Sequence, residues 1–266
     1  MADVKRICAD LNDEHEELDA LVRDLDDAEW DTPTPAEAWS VRDQISHLTF
    51  FDEAAELAAR DQDGFQRRLE IALQDLDAYM NEPLETGRSL PPHEVLGRWR
   101  AARRQMLRTF ETLDPALRIP WYGPPMSPAS FVTARLMETW AHGQDVADAL
   151  GVDRIPTERL RHVAHIGVRT RPNSYAARGI DLPSGEVRVE LTGPGGDLWT
   201  WNEGGRDAVK GSARDFSLVV TQRRHPDDTD LVIEGPLATE WMSIAQSFAG
   251  PPGAGRKPGQ FRKASN

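Results

Sequence analysis

The residues of this chain best suited to chemistry are a carboxylate and an imidazole four positions apart, Glu138 and His142, in the run Glu-Thr-Trp-Ala-His. On a helix that spacing puts both side chains on one face, a turn apart and aimed at a common point. Neutral imidazole and carboxylate together suit zinc or another first-row divalent ion. The pair supplies two ligands, and a metal site needs a third from another helix. His15, His47 and His93 are the candidates. His47 stands in ISHLTFF among Ile45, Leu48 and Phe51, so its ring is expected to face inward, where a buried imidazole needs a partner. His15 sits in the acidic run DEHEELD and His93 follows two prolines at a helix start; both read as solvated. Spacing alone leaves another reading open. A Glu-x-x-x-His pair also occurs as a plain hydrogen-bonded helix pair, and an inward histidine as a satisfied core residue.

Other reactive side chains are weighed around that group. Asp145, three residues beyond His142, is placed to accept the second imidazole hydrogen, or else is an exposed helix charge. Trp39 and Trp140 flank the candidate ligands and read as bundle packing. Cys8 is the single cysteine. It has no partner for an internal disulfide, no Cys-x-x-Cys exists, and its helical spacing from Val4, Leu11 and His15 marks it as a small core residue. Thiol chemistry here therefore needs a thiol from outside.

The elements that must position these groups read as helices over the first ~150 residues. Apolar residues from Val4 to Leu25 recur near a 3.6-residue period. After a loop with Pro33 and Pro35, Ser40 and Asp43 form a capping-box-like start to a second helix whose buried face carries Ile45, Leu48, Phe51 and Ala55. Residues 65–81 read as helical but more polar. A third strong helix runs from Pro92 to Leu113, and a fourth from Ala129 to Leu150, stopped by Gly151. Four amphipathic helices predict a four-helix bundle with long loops. Beyond it come a helix around Thr157–Val168, a hairpin with alternating Val187, Val189 and Leu191 and a GPGG turn, strands at Ala208–Gly211 and Asp230–Gly235, and helices at Ala213–Thr221 and Leu237–Phe248. The expected fold is mainly α: a helical bundle over 1–152, a small α+β domain over 153–249 and a flexible tail over 250–266.

Bulk properties narrow the partners. A net charge of −13 repels phosphate backbones, so nucleic acid is not an expected partner. No apolar run approaches the ~20 residues of a bilayer span, and the charged N-terminus is not a signal peptide; no membrane partner is expected and the cytoplasm is the default location. The one basic stretch, Arg256–Lys263, reads as a solvated end.

Two segments carry a resemblance. AWSVRDQISHL and METWAHGQDVADALG resemble the signature stretches of the mycothiol-dependent maleylpyruvate isomerase N-terminal family, part of the wider DinB-like, metal-binding four-helix-bundle proteins. The likeness runs through residues ~1–150 in order and spacing, Trp39 and the glycine-ended fourth helix included. It implies that His47, Glu138 and His142 are the metal ligands. Farther on, GSARDFSLVVTQR is similar to a family segment whose arginine meets an anionic substrate carboxylate, which gives that catalytic role to Arg223. Arg169, Arg171 and Arg178, in VRTRPNSYAARG, either line the same cleft or form a basic linker. RRHPDDTDLVIEG and AQSFAGPPG also resemble the small domain named for wyosine-base formation, although an acidic chain without an iron–sulfur cysteine motif argues against that activity.

The resemblance implies an enzyme using a divalent metal, Zn2+ first among them, and mycothiol as a low-molecular-weight thiol cosubstrate, acting on a small electrophilic molecule as an S-transferase or a cis–trans isomerase. Metal-assisted hydrolysis and a non-catalytic metal-binding module are the alternatives. An extended proline-rich loop at 120–128 and the GPPG tail depart from the family pattern and point to a substrate other than maleylpyruvate.

Overall fold

The structure, a computed structural model, describes residues 3–261. The chain divides into two compact units, Met1–Arg154 and Ile155–Asn266. No helix among the described residues is long and apolar enough to cross a membrane.

In the first unit the four long helices are α1 (Val4–Val22), α2 (Val41–Arg60), α5 (Pro92–Phe110) and α6 (Pro128–Leu150), with the shorter α3 (Gln62–Ala72) and α4 (Leu76–Arg88) between α2 and α5. Helix α2 packs on α5 and α6, and α1 packs on α6 and α5. Leu18, Val22, Val41, Ile45, Leu48, Val95, Trp99 and Val146 share the core, each full burial stabilising by roughly 1.5–3 kcal/mol. The start of α2 is fixed by a capping box: Ser40 N–H donates to Asp43 Oδ2 at 2.8 Å while Asp43 N–H donates to Ser40 Oγ at 3.4 Å. Arg88 at the end of α4 then donates to both oxygens of Asp43 at 2.8 and 3.0 Å, so one carboxylate holds two helix ends. Ser127 caps α6, Pro128 occupies its first turn, and Gly151 ends it in the left-handed region at φ 67°.

The single polar helix expected over 65–81 is two helices. The Asp75 side chain accepts from Ala78 N–H at 2.9 Å and begins α4 afresh, which ends α3 at Ala72.

The second unit carries a four-stranded sheet of order β2-β1-β3-β4, with β1 (Val187–Thr192), β2 (Leu198–Trp201), β3 (Asp207–Ser212) and β4 (Val232–Glu234). Strand β1 is antiparallel to β2 and parallel to β3, and β4 is antiparallel to β3. Val187, Val189 and Leu191 are buried and alternate with less buried neighbours, as a strand with one core face requires. Gly211, the last residue but one of β3, has φ 150°, and an added Cβ would stand 2.8 Å from Leu231. Helices α7 (Leu160–Arg169), α8 (Arg171–Ala176), α9 (Ala213–Val220) and α10 (Pro236–Ile244) complete the unit.

Two expectations change here. The supposed basic linker contains α8, and two of its arginines serve the unit itself: Arg171 donates to Gly185 O at 2.8 Å and Arg178 to Gly253 O at 3.0 Å. The stretch from Gly250, expected to be flexible, is tied as far as Phe261. Gly253 N–H reaches Gln246 Oε1 at 3.0 Å, Gly259 N–H reaches Asp228 Oδ1 at 2.7 Å, and the Arg224 guanidinium lies 3.7 Å over the Phe261 ring. The rest of that expected tail, 262–266, lies outside the described residues.

Candidate metal centre

Helix α2 presents Gln44, His47 and Phe51 along one stripe, at i, i+3 and i+7. Helix α6 presents Glu138 and His142 against it. His47, Glu138 and His142 each offer one ligand atom, and these atoms lie within 4.8 Å of one another. His142 Nε2 stands 3.3 Å from Glu138 Oε2, and the two imidazole centroids are 4.5 Å apart. The histidines are 9% and 8% exposed while the Glu138 side chain keeps 22%, so the carboxylate is the part of the group most open to solvent.

The orientation of His142 is set from α2. Its Nδ1 is hydrogen-bonded to Gln44 Oε1. The other end of that amide donates to Thr34 Oγ1 at 2.9 Å, and Thr34 Oγ1 donates to Trp39 O at 2.9 Å. A carbonyl oxygen can only accept, so Nδ1 carries the hydrogen and the Nε2 lone pair of neutral His142 faces the Glu138 carboxylate. Two acceptors at that distance repel unless a proton or a metal ion lies between them. The donor set, its separation and this tautomer all fit a divalent ion. Gln44 thus takes the role foreseen for Asp145, which is buried one turn farther along α6. Helical spacing placed Gln44 on the His47 stripe, but glutamine carries no chemical signature that singles it out.

Two aromatic side chains wall the group. Trp39 stacks on His142 with centroids 5.9 Å apart and planes at 14°, and lies 5.0 Å from His47. Phe51 stands 4.6 Å from His47 on the other side. Trp39 is held in its loop by Trp39 N–H to Ala36 O at 3.1 Å and Thr34 N–H to Trp39 O at 2.7 Å. It covers the candidate ligands rather than simply packing the bundle, whereas Trp140 is buried, with Arg154 bonded to its carbonyl at 2.9 Å. Behind the group, Arg135 of α6 donates to Asp52 of α2 at 3.0 Å, tying together the two helices that carry it.

The other candidates fall elsewhere. His93 is exposed. His15, expected to be solvated, is wholly buried: it lies between Leu11 and Leu18 on the inner stripe of α1, and of its acidic neighbours Glu14 and Asp19 are buried with it, Glu14 paired with Arg154 and Asp19 with Arg100 and Arg103. Cys8 is buried, and burial first, with Glu111 and Asp3 adding to it, pushes its thiol up to about 12, which suppresses the thiolate. Arg223 lies in the second unit just after α9, its N–H on Leu218 O at 2.7 Å and its Nη1 on Thr221 O at 2.6 Å.

A family model described as the mycothiol maleylpyruvate isomerase N-terminal domain matches residues 11–147. Two uncharacterized proteins, from two strains of Mycobacterium tuberculosis, are each 44% identical to this chain over 259 residues, covering 96% of it and 100% of their own length. Among solved structures, the crystal structure of the mycothiol-dependent maleylpyruvate isomerase matches with a TM-score of 0.58 and 14% identity over 83% of this chain and 90% of that one. A histidine-to-alanine mutant of that isomerase matches with a TM-score of 0.59 and 14% identity, covering 88% and 95%. At this identity the structural likeness is one of fold.

Proposed function

The chain belongs to the mycothiol maleylpyruvate isomerase N-terminal domain family, and from that premise we propose that it is a metal-dependent enzyme that uses mycothiol to attack a small electrophilic substrate. The observation that carries this reading is the convergence of His47, Glu138 and His142 within 4.8 Å. A divalent ion held by these three residues, zinc by the nature of the donors, supplies a residual positive charge that brings the pKa of an incoming thiol toward neutrality.

The chain's own residues do the rest. Gln44 keeps the Nε2 lone pair of His142 directed at the shared centre, and Glu138 contributes the negative charge that balances the site. Trp39 and Phe51 exclude water from two sides, which favours a thiol over hydroxide as the attacking group. Arg223, whose guanidinium is shaped for a bidentate carboxylate contact, orients an anionic substrate. The sulfur adds to one carbon of a conjugated double bond. For a cis–trans isomerase the former double bond rotates, the carbon–sulfur bond breaks and the double bond re-forms, with no net change in atoms. For an S-transferase the carbon–sulfur bond stays and the neighbouring carbon takes up the proton that the thiol lost, so that S–H has added across the double bond.

Mycothiol titrated into the cobalt-substituted protein tests the proposal. A sulfur-to-cobalt charge-transfer absorption band, lost in His142→Ala, is expected. Cobalt uptake without such a band overturns the thiol reading and favours metal-assisted hydrolysis or a metal-binding module. Mass spectrometry of the product, with or without sulfur, then separates transferase from isomerase.

A further inference from the structure

Helix α2 has a second functional-looking stripe. Ser46, Thr49, Phe50 and Glu53, at i, i+3, i+4 and i+7, line a cavity of about 410 Å³ bounded by α3, α4 and α5 as well. This stripe differs from the one that carries Gln44, His47 and Phe51, so the cavity is separate from the metal centre. Its size is that of a small-molecule site.

The lining is polar at one part and apolar at another. Arg68 of α3 is held rigidly: its Nε donates to Tyr79 Oη at 2.8 Å and its guanidinium lies 4.2 Å over the Phe50 ring. Its terminal nitrogens have no hydrogen-bond or ion-pair partner among the described residues, and neither does Arg98 of α5, which lines the same cavity. Two acidic residues share it, Glu53 and Glu82, both at its exposed edge. Neither forms an ion pair with either arginine among the described residues. Phe50, Tyr79 and Val95 supply the apolar wall.

We propose that this cavity is a second ligand site, for a small organic acid whose anionic group meets Arg68 and Arg98 and whose apolar body lies against Phe50, Tyr79 and Val95. A pre-oriented guanidinium with open terminal nitrogens matches a planar anion in two parallel hydrogen bonds. An inorganic anion would leave the apolar wall uncovered, and a neutral hydrocarbon would leave Arg68 unmatched. Glu53 stands at the exposed edge of the cavity, where water screens its charge from a bound anion, and desolvation that Arg68 and Arg98 do not offset pushes its carboxyl up from the ordinary range.

Calorimetric titration of the full chain with benzoate, benzyl alcohol and inorganic phosphate tests this. Benzoate is expected to saturate one site and to bind about tenfold or more tighter than either the uncharged alcohol or phosphate. Arg68→Gln and Arg98→Gln should each weaken benzoate by about tenfold, and Leu90→Trp should exclude it by filling the cavity with both arginines intact. Arg98 is exposed, so its replacement leaves folding unaffected, and Arg68→Lys keeps the charge should Arg68→Gln fold poorly. His47→Ala and added zinc should change nothing. The proposal is overturned by an absence of saturable benzoate binding, by binding that survives both arginine substitutions, or by binding that disappears with His47→Ala or with zinc.

Discussion

Gln44 and His142 stand 98 positions apart and share a hydrogen bond through Oε1 and Nδ1, and that bond decides which nitrogen of His142 is free to act as a ligand. The amide cannot flip without losing its other contact, to Thr34. Gln44→Leu removes the acceptor and lets the ring choose either tautomer. Zinc affinity, measured by competition with a chromogenic chelator, should fall by about 10–100-fold, the usual effect of losing such a supporting partner. Gln44→Glu keeps an acceptor at that place and should retain binding. Equal affinity in Gln44→Leu and the parent protein would show that the bond does no orienting.

Asp52 and Arg135 fix α2 against α6 beside the candidate ligands, with both side chains almost completely buried. Removing one partner leaves a charge in the core, so Asp52→Ala should lower unfolding free energy by about 3–5 kcal/mol. The paired change Asp52→Leu with Arg135→Met replaces both charges by apolar groups of similar size and should recover most of that loss. Urea unfolding of the three proteins is the measurement. A double variant as unstable as Asp52→Ala would mean that the ion pair is needed as such.

Much of this arrangement was legible in the residues themselves. The Ser40–Asp43 box and the Gly151 stop mark two helix boundaries, and the 3.6-residue stripes mark inner faces, because each is a local signal. The likeness of AWSVRDQISHL and METWAHGQDVADALG to known family segments added the pairing of His47 with Glu138 and His142. What escaped depends on distant contacts. Gln44 matters through a residue on another helix, and Trp39 through a loop closed by Thr34. The acidic company of His15 pointed outward although its helical position points inward. The Asp75 cap, which splits one expected helix into α3 and α4, is a single side chain inside a run that otherwise reads as continuous.

Arg223 offers a kinetic test of substrate chemistry. A guanidinium that binds a substrate carboxylate equally in the ground and transition states affects KM and leaves kcat alone. Arg223→Lys keeps the charge but loses the fork. On an anionic electrophile it should raise KM by about tenfold, a bidentate contact being worth roughly 1.5–3 kcal/mol, with kcat nearly constant. On the methyl ester of the same substrate the two proteins should behave alike. An equal penalty on acid and ester would remove Arg223 from carboxylate recognition.

His15 makes the stability of the first unit depend on pH. Its ring is wholly buried, neither nitrogen has a hydrogen-bond partner among the described residues, and it lies edge-on to Trp99 with centroids 5.9 Å apart. Burial above all, then the positive charges of Arg103 and Arg135, holds its pKa well below the ordinary imidazole value. The ring is therefore neutral in the fold, while in the unfolded chain it protonates near pH ~6.5. Below that value the unfolded state binds one more proton than the folded state, so stability present above pH ~6.5 is lost as pH falls, by up to about 1.4 kcal/mol per unit. His15→Phe removes the titration and buries no unmatched nitrogen. Urea unfolding of metal-free protein from pH 7.5 to about 5, above the range where carboxylates take over, should give a stability curve flatter by one proton in the variant. Parallel curves for the two proteins would mean that His15 finds a way to charge inside the bundle, which requires water or an anion to reach the space between α1 and α5.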